Sequence, residues 1–443
     1  MTYSISAIDG RYQNKVEELG EICSEFGLVK YRLEMEVAWL QFLAKEGILP
    51  EGADLNGVEK LRDNFEVAEY ERLKEIEGEV NHDVKAVEYL LREHSDEALW
   101  PYLHLMLTSE DVNNIAYAMM LRDARGVVTE ALQARVIDDL SGKAKEWKGT
   151  AMLSRTHGQP ATPTTMGKEL AVYVRRFSES TERIEAVALK AKCNGATGNF
   201  AVHTAAYPEK DWLALGEQFV TSLGLSHNPL TTQIESHDHQ AVLLNELGLL
   251  CSVMSDLCTD VWGYISIGYF GQKKVEGEVG SSTMPHKVNP IDFENARGNA
   301  KLARGVARTL ADELPVSMWQ RDLSDSTLQR NFGLVFGHLL LAIKNLEKGL
   351  GKLELREEKL AADLEANPEV LTEAVQTVLR KNGHADAYEQ LKALSRGQSL
   401  TLEAIREFIQ GLEIDEADKT RLLELTPATY TGHSEALVDT YLS

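Results

Sequence analysis

The sequence predicts an all-α protein, with three helical domains arranged around a central bundle of long helices. Three observations predict it. Proline is absent from the stretches 51–100, 102–159, 164–207, 230–284, 316–367 and 369–426. Within them apolar residues recur at three and four. Leu243, Leu244, Leu247, Leu250, Cys251, Met254, Leu257, Cys258, Val261 and Ile265 form one stripe, and Val306, Ala307, Leu310, Ala311 and Leu314 another. That is helical period. Alternating strand-like runs bounded by Asn-Gly or Asp-Gly turns are nearly absent.

The elements follow in order. Residues 1–97 carry shorter helical patterns broken at Gly47, Pro50, Gly52 and Gly57, an N-terminal helical domain. Residues 98–350 hold the long stripes. Helices of about 30 residues or more form extended bundles, and their exposed apolar faces are often covered by other subunits. From residue 351 to 443 the chain is charged with short amphipathic segments, and Asn367-Pro368, Gly397 and Gly411 mark turns in a C-terminal helical domain. No internal repeat or low-complexity tract interrupts this order.

Composition excludes several function classes. The 443 residues include 46 Lys plus Arg against 69 Asp plus Glu, a net charge of −23. So acidic a surface repels nucleic acid and anionic lipid, and an anionic ligand needs a local basic cluster. A hydrophobic share of 43% and a charged share of 26% exclude disordered, collagen-like and disulfide-scaffold classes. The four cysteines, Cys23, Cys193, Cys251 and Cys258, form no CxxC pair. Cys251 and Cys258, seven apart in an apolar run, have the spacing of a buried face. The start MTYSISAIDGRY has neither a basic head nor an apolar stretch, so no signal peptide is expected. The longest uncharged run, Gln218–Ile234, is shorter than the roughly 20 residues that span a bilayer. A soluble, cytoplasmic chain with no nucleic-acid or membrane partner is the expectation.

The GxxxxGK[ST], GxGxxG, HExxH and GxSxG motifs are all missing, which lowers the weight of NTPase, dinucleotide oxidoreductase and common hydrolase functions. His237 and His239 flank Asp238 and are suitable metal ligands, but no third ligand lies nearby at helical spacing. A polar, hydrogen-bonded role is the favoured reading, and no metal or cofactor is expected.

Three segments carry chemistry. In GEVGSSTMPHKVNPIDFEN, residues 277–295, small residues form a loop, and Asn289 then caps a helix with Pro290 at its first position. Hydroxyls, the Lys287 ammonium and a positive helix end suit a carboxylate that gains charge during reaction. A Ser/Gly linker before a capped helix reads equally well. In SRTHGQPATPTTMGKE, residues 154–169, two prolines and two glycines exclude regular helix and put His157 in a rigid irregular turn. A histidine there suits proton transfer, or an ordinary structural hydrogen bond. In NHDVKAVEY, residues 81–89, Asp83 falls in a first helical turn, and the residues alone favour His82 as a capping neighbour.

GSSTMPHKVNP at 280–290 resembles the signature loop of the fumarase/aspartase superfamily, whose members cleave C–N or C–O bonds by β-elimination and release fumarate. His286 within it, SRTHGQPATP, NHDVKAVEY, AIDGRY at 7–12, TSEDVNN at 108–114 and WQRDLSDST at 319–327 are similar to the bacterial adenylosuccinate lyase family. The resemblance covers essentially the whole chain. It implies a fumarase/aspartase-like fold whose central bundle assembles into the core of a homotetramer, with active sites built from three subunits. It implies fumarate release from adenylosuccinate and from the succinylated aminoimidazole carboxamide ribotide (SAICAR), in purine synthesis, with no cofactor.

By the same resemblance, Ser281 is the general base and His157 the general acid. Lys287 and Asn289 meet the succinyl carboxylates with Ser282 assisting, and Val288 and Asn295 belong to the same substrate-binding stretch. His82 contacts substrate near the leaving group, flanked by Asn81 and Asp83, which overrides the capping reading. Arg11 and Tyr12 serve the nucleotide, Thr108 and Ser109 the succinyl group, and Gln233 completes the set. Arg321, Ser326 and Arg330 supply the charge and hydroxyl a phosphate needs, with Ser326 and Arg330 four apart on one helical face. Salt bridging of Arg321 and Arg330 with Asp322 and Asp325 is the alternative for those two arginines. One departure is Arg297 in NARGN, where the family carries an acidic residue; it leaves every proton-transfer group in place.

Overall fold

A computed structural model describes residues 3–273, 284, 287–395 and 400–442. Among these, twenty α-helices stand against three two-stranded sheets, so the protein is all-α as predicted. The stripe from Leu243 to Val261 is the buried face of the helix Asp238–Ser266. At 29 residues this is the longest described α-helix, so none reaches the predicted 30. It is also long and apolar enough to cross a membrane by length and composition, although Glu246 and Asp256 interrupt its uncharged run; 61% of its apolar window is buried inside the protein.

The chain divides into two compact units, one of residues 1–132, 179–255 and 296–344, the other of residues 133–178, 256–295 and 345–443. In the first unit the helix Glu25–Lys45 packs on the helix Ser109–Leu132. Leu28, Leu33, Val37, Trp39, Leu40 and Leu43 fill one side, and Val112, Ile115, Ala116, Met119 and Leu121 the other. Burying such side chains contributes about 1.5–3 kcal/mol each before entropy is charged. Ser24 caps the first of these helices by accepting the Gly27 amide at 3.2 Å.

In the second unit the strands β1 (Ala151–Thr156) and β2 (Gln159–Thr165) form an antiparallel hairpin. This corrects the predicted irregular turn. The two-residue connection His157-Gly158 has positive φ at both positions, 53° and 76°, the conformation that suits the twist of a tight hairpin. Pro160 and Pro163 are tolerated because a two-stranded ribbon leaves amides with no ladder partner to lose. A register shift between Met152 and Ser154 marks a bulge. Below the hairpin, Gly167 permits close packing, since a Cβ there would lie 2.2 Å from the Ala144 carbonyl oxygen.

Candidate active site

In the first unit, the sequence NHD sits at a junction of two helices. Asn81 ends the helix Val67–Val80 in the left-handed conformation, φ 51°. His82 then caps the helix Asp83–Glu93, its Nδ1 accepting the Lys85 amide at 3.2 Å. Accepting at Nδ1 places the proton of the neutral ring on Nε2, where it can be donated outward. The side chain of His82 is 52% exposed, so the capping role and a ligand contact are compatible.

Asp83 gathers two guanidiniums. Its Oδ2 accepts from Arg32 Nη2 at 2.8 Å and from Arg330 Nη2 at 3.1 Å. Burial raises this carboxyl, but Arg32, the Val84 amide and Arg330 outweigh it and hold Asp83 below the usual carboxylate range. Arg330 also donates to Ser326 Oγ at 2.5 Å, the contact expected of residues four apart, and approaches Glu25 at 3.5 Å. A cleft of about 570 Å³ opens beside it, lined by Asp9, Gln13, Glu17, Glu21, Glu25 and Arg330 among others. Arg11 and Tyr12 lie in the same N-terminal segment. Arg11 is exposed and its guanidinium is 5.9 Å from the Tyr12 ring centroid.

Arg321 is held by two carboxylates. Its Nη1 donates to Glu110 Oε2 at 2.6 Å and to Asp325 Oδ2 at 3.3 Å. Ion pairing was the alternative for these arginines, and both are paired, but largely with other partners. Asp322 instead accepts from Met318 and Ser324, closing the turn before the helix Ser324–Gln329. Burial pushes the Glu110 carboxyl up to about 7, and Arg321 offsets this only in part.

Glu110 follows Thr108 and Ser109 at the start of the helix Ser109–Leu132. Next to it, Asp111 accepts the Thr108 amide at 2.9 Å and pairs with Lys192 Nζ at 2.9 Å, both side chains fully buried. Asp111 also accepts from the Asn194 and Gly195 amides. One residue on, the Ala196 carbonyl receives Gln233 Nε2 at 3.0 Å. Thr108, Ser109 and Gln233 are therefore tied together through residues that sequence reasoning missed, Asp111 and Lys192. A buried Lys–Asp pair at positions 81 apart leaves no local signal.

His237 and His239 are buried and each faces a carboxylate. His237 Nε2 is 3.4 Å from Asp325, and His239 Nδ1 is 3.0 Å from Glu235. Burial raises the Glu235 carboxyl, but His239, Asn228 and the His237 amide together bring it down to about 2. The pair thus supports the Arg321 corner of the site.

In the second unit, His157 stands exposed at the tip of the hairpin. Arg155, two residues back, donates to Asp363 at 2.5 Å. Lys287 is exposed, and the Val288 carbonyl accepts from Gln272 at 3.2 Å. The helix expected to be capped by Asn289 begins at Ile291, and its first bond runs from the Glu294 amide to the Pro290 carbonyl at 3.2 Å. This moves the cap to Pro290, one residue later than predicted, a shift helix ends commonly show. Asn295 lies half-buried in the next turn. Ser281, Ser282 and His286 lie outside the described residues. Arg297 is exposed on the same helix.

Two family models match: a lyase family over residues 10–305 and an adenylosuccinate lyase C-terminal family over residues 317–431. The chain is 45% identical to the adenylosuccinate lyase of Escherichia coli strain K12 over 446 residues, covering 98% of each chain. It is 46% identical to that of Legionella pneumophila strain Corby over 448 residues, covering 99% of this chain and 98% of the other. Among solved structures, a fumarate lyase from Mesorhizobium sp. BNC1 superposes with a TM-score of 0.79 at 23% identity, over 96% of this chain and 97% of that one. The 3-carboxy-cis,cis-muconate lactonizing enzyme of Pseudomonas putida gives 0.77 at 23% identity, over 96% of each. These last two share the fold. The end-to-end identity goes further: the chain belongs to the adenylosuccinate lyase family.

Proposed function

We propose that the protein splits adenylosuccinate into AMP and fumarate, and SAICAR into the corresponding carboxamide ribotide (AICAR) and fumarate, in purine nucleotide biosynthesis. The observation that carries this reading is the corner where Arg321, Ser326 and Arg330 meet the segments of His82-Asp83 and Thr108-Ser109. A chain of net charge −23 concentrates basic and hydroxyl groups there, which a phosphate-bearing succinyl substrate requires.

In this reaction a proton leaves Cβ of the succinyl group and the Cα–N bond breaks. The electron pair of the C–H bond becomes the fumarate double bond, and the purine nitrogen takes a proton. No net oxidation occurs, so the proposed reaction needs no redox cofactor. Ser281 takes the Cβ proton. Lys287, Ser282 and Asn289 hold the carboxylates, in the stretch that continues through Val288 to Asn295, and stabilise the carbanion as it delocalises. His157 protonates the leaving nitrogen. Thr108, Ser109 and Gln233 orient the succinyl group, while Asn81, His82 and Asp83 address the leaving side. Arg11, Tyr12, Arg321, Ser326 and Arg330 hold the nucleotide and its phosphate.

The assembly belongs to the same proposal. Three helical domains, residues 1–97, 98–350 and 351–443, build a cytoplasmic homotetramer whose sites combine residues of three subunits. Exposed apolar side chains on the long helices support self-association: Val242 at 51%, Leu249 at 46% and Leu302 at 55%. The acidic surface supports the expectation of no nucleic-acid or membrane partner.

The test is to incubate the purified protein separately with adenylosuccinate, argininosuccinate, aspartate and malate, and to follow fumarate. Release from adenylosuccinate alone is the expected result. Release only from another substrate would discard the phosphate corner.

A further inference from the structure

The C-terminal segment of the second unit grips the His157 hairpin through both of its strands. On β1, Arg155 donates to Asp363 Oδ2 at 2.5 Å, and the same oxygen accepts the Tyr269 hydroxyl. On β2, the Thr162 hydroxyl donates to Glu373, which also accepts the Tyr430 hydroxyl at 3.2 Å. Between these tethers Leu153 of β1 is fully buried against Leu364 and Val370. Asp363 and Leu364 are consecutive in the helix Glu357–Glu365, so one turn supplies both the charged and the apolar hold.

Nothing comparable restrains the tip. His157 is exposed, and its ring has no hydrogen-bond partner among the described residues. Where it points is set by the strands below it. A charge-assisted hydrogen bond two residues away is the nearest side-chain polar restraint beyond the ladder itself, and a misplacement of about 1 Å costs on the order of 10²-fold in rate.

We propose that Asp363 is a positioning residue for the elimination reaction, acting through Arg155 to hold the hairpin at the angle that aims His157 at the leaving nitrogen. This rests on the reading of His157 as the general acid. Asp363 does not touch substrate. Its Oδ2 accepts from Arg155 and Tyr269 at once, so a neutral amide in its place keeps the shape and an acceptor oxygen but loses the charge that strengthens the Arg155 bond.

The test is a double-mutant comparison on the full chain, with kcat, KM, thermal midpoint and oligomeric size measured for each variant. Asp363→Asn should lower kcat for adenylosuccinate by about 10- to 100-fold with KM within about threefold and the midpoint little changed. Arg155→Gln, which cuts the same bond from the other end, should reproduce the loss. Arg155→Lys, which keeps the cation, should recover part of it. In a His157→Gln background, Asp363→Asn should cost less than about twofold further, because the group it aims is gone. Full kcat in both Asp363→Asn and Arg155→Gln, or an equal loss with and without His157, would overturn the proposal. If His157→Gln alone keeps wild-type kcat, the general-acid assignment falls instead, and the inference falls with it.

Discussion

Arg321 Nη1 lies 2.6 Å from Glu110 Oε2, a pair that joins residues 211 apart at the edge of the proposed phosphate site. Burial pushes Glu110 from an ordinary 4.5 up to about 7. The folded state thus holds more protons than the unfolded one between about pH 4.5 and 7, and this group's contribution to stability falls as pH rises through that window. The span corresponds to on the order of 3 kcal/mol. Glu110→Gln should therefore lose less thermal stability from pH 5 to pH 8 than wild type. Parallel pH slopes in the two proteins would reject this account.

The same pair predicts proton uptake. A phosphate that draws Arg321 away removes the partial offset on Glu110 and raises its carboxyl further. AMP binding near pH 7 should then take up protons, so the calorimetric enthalpy should vary with the ionisation heat of the buffer. In Glu110→Gln that buffer dependence should shrink.

The hairpin turn separates geometry from chemistry. Position 157 needs positive φ, which asparagine adopts more readily than most residues. His157→Asn should keep the fold and thermal midpoint while kcat drops by about 10²- to 10⁴-fold. Gly158→Val keeps the imidazole but strains the turn, where φ is 76°. It should lower both the midpoint and kcat. Unchanged turnover in His157→Asn would remove the proton donor from the mechanism.

Asp111 and Lys192 are both fully buried at 2.9 Å. Removing one partner leaves a bare buried charge, so Lys192→Met should cost about 3–5 kcal/mol in chemical denaturation. Adding Asp111→Leu should deepen the loss rather than relieve it, because the Thr108, Asn194 and Gly195 amides would all lose their acceptor.

Arg32 and Arg330 share Asp83 yet differ in exposure, 2% against 37% of the side chain. Arg32→Met should destabilise the protein by about 2–4 kcal/mol and raise KM modestly. Arg330→Met should cost less than about 1 kcal/mol of stability but raise KM for adenylosuccinate by 10-fold or more, on the order of a lost charge-assisted hydrogen bond. A stability loss as large for Arg330 would contradict the exposure argument.

Helix class and the long apolar stripes were legible in the sequence because period is a local property. The face from Leu243 to Val261 is buried as its three-and-four spacing required. Candidate residues were legible where they cluster in motifs, as in NHDVKAVEY and WQRDLSDST. The Ser326–Arg330 contact could be read from spacing alone, since a helix brings residues four apart together. The hairpin was not, because two prolines in SRTHGQPATP argue against a ladder, and only the free edges of a two-stranded ribbon make them harmless.

By itself the sequence determined an all-α chain, the family, and which side chains could do the chemistry, since composition, period and motif are carried by residues near one another. Only the tertiary structure decided their charge environment. Glu110 holds Arg321, Asp83 joins Arg32 to Arg330, and Asp363 reaches Arg155 across 208 residues. Such pairs arise when segments distant in the chain pack together and take carboxylates out of water. The strength of a charge then depends on burial and on its nearest neighbours in space, and neither is written in the local order of residues.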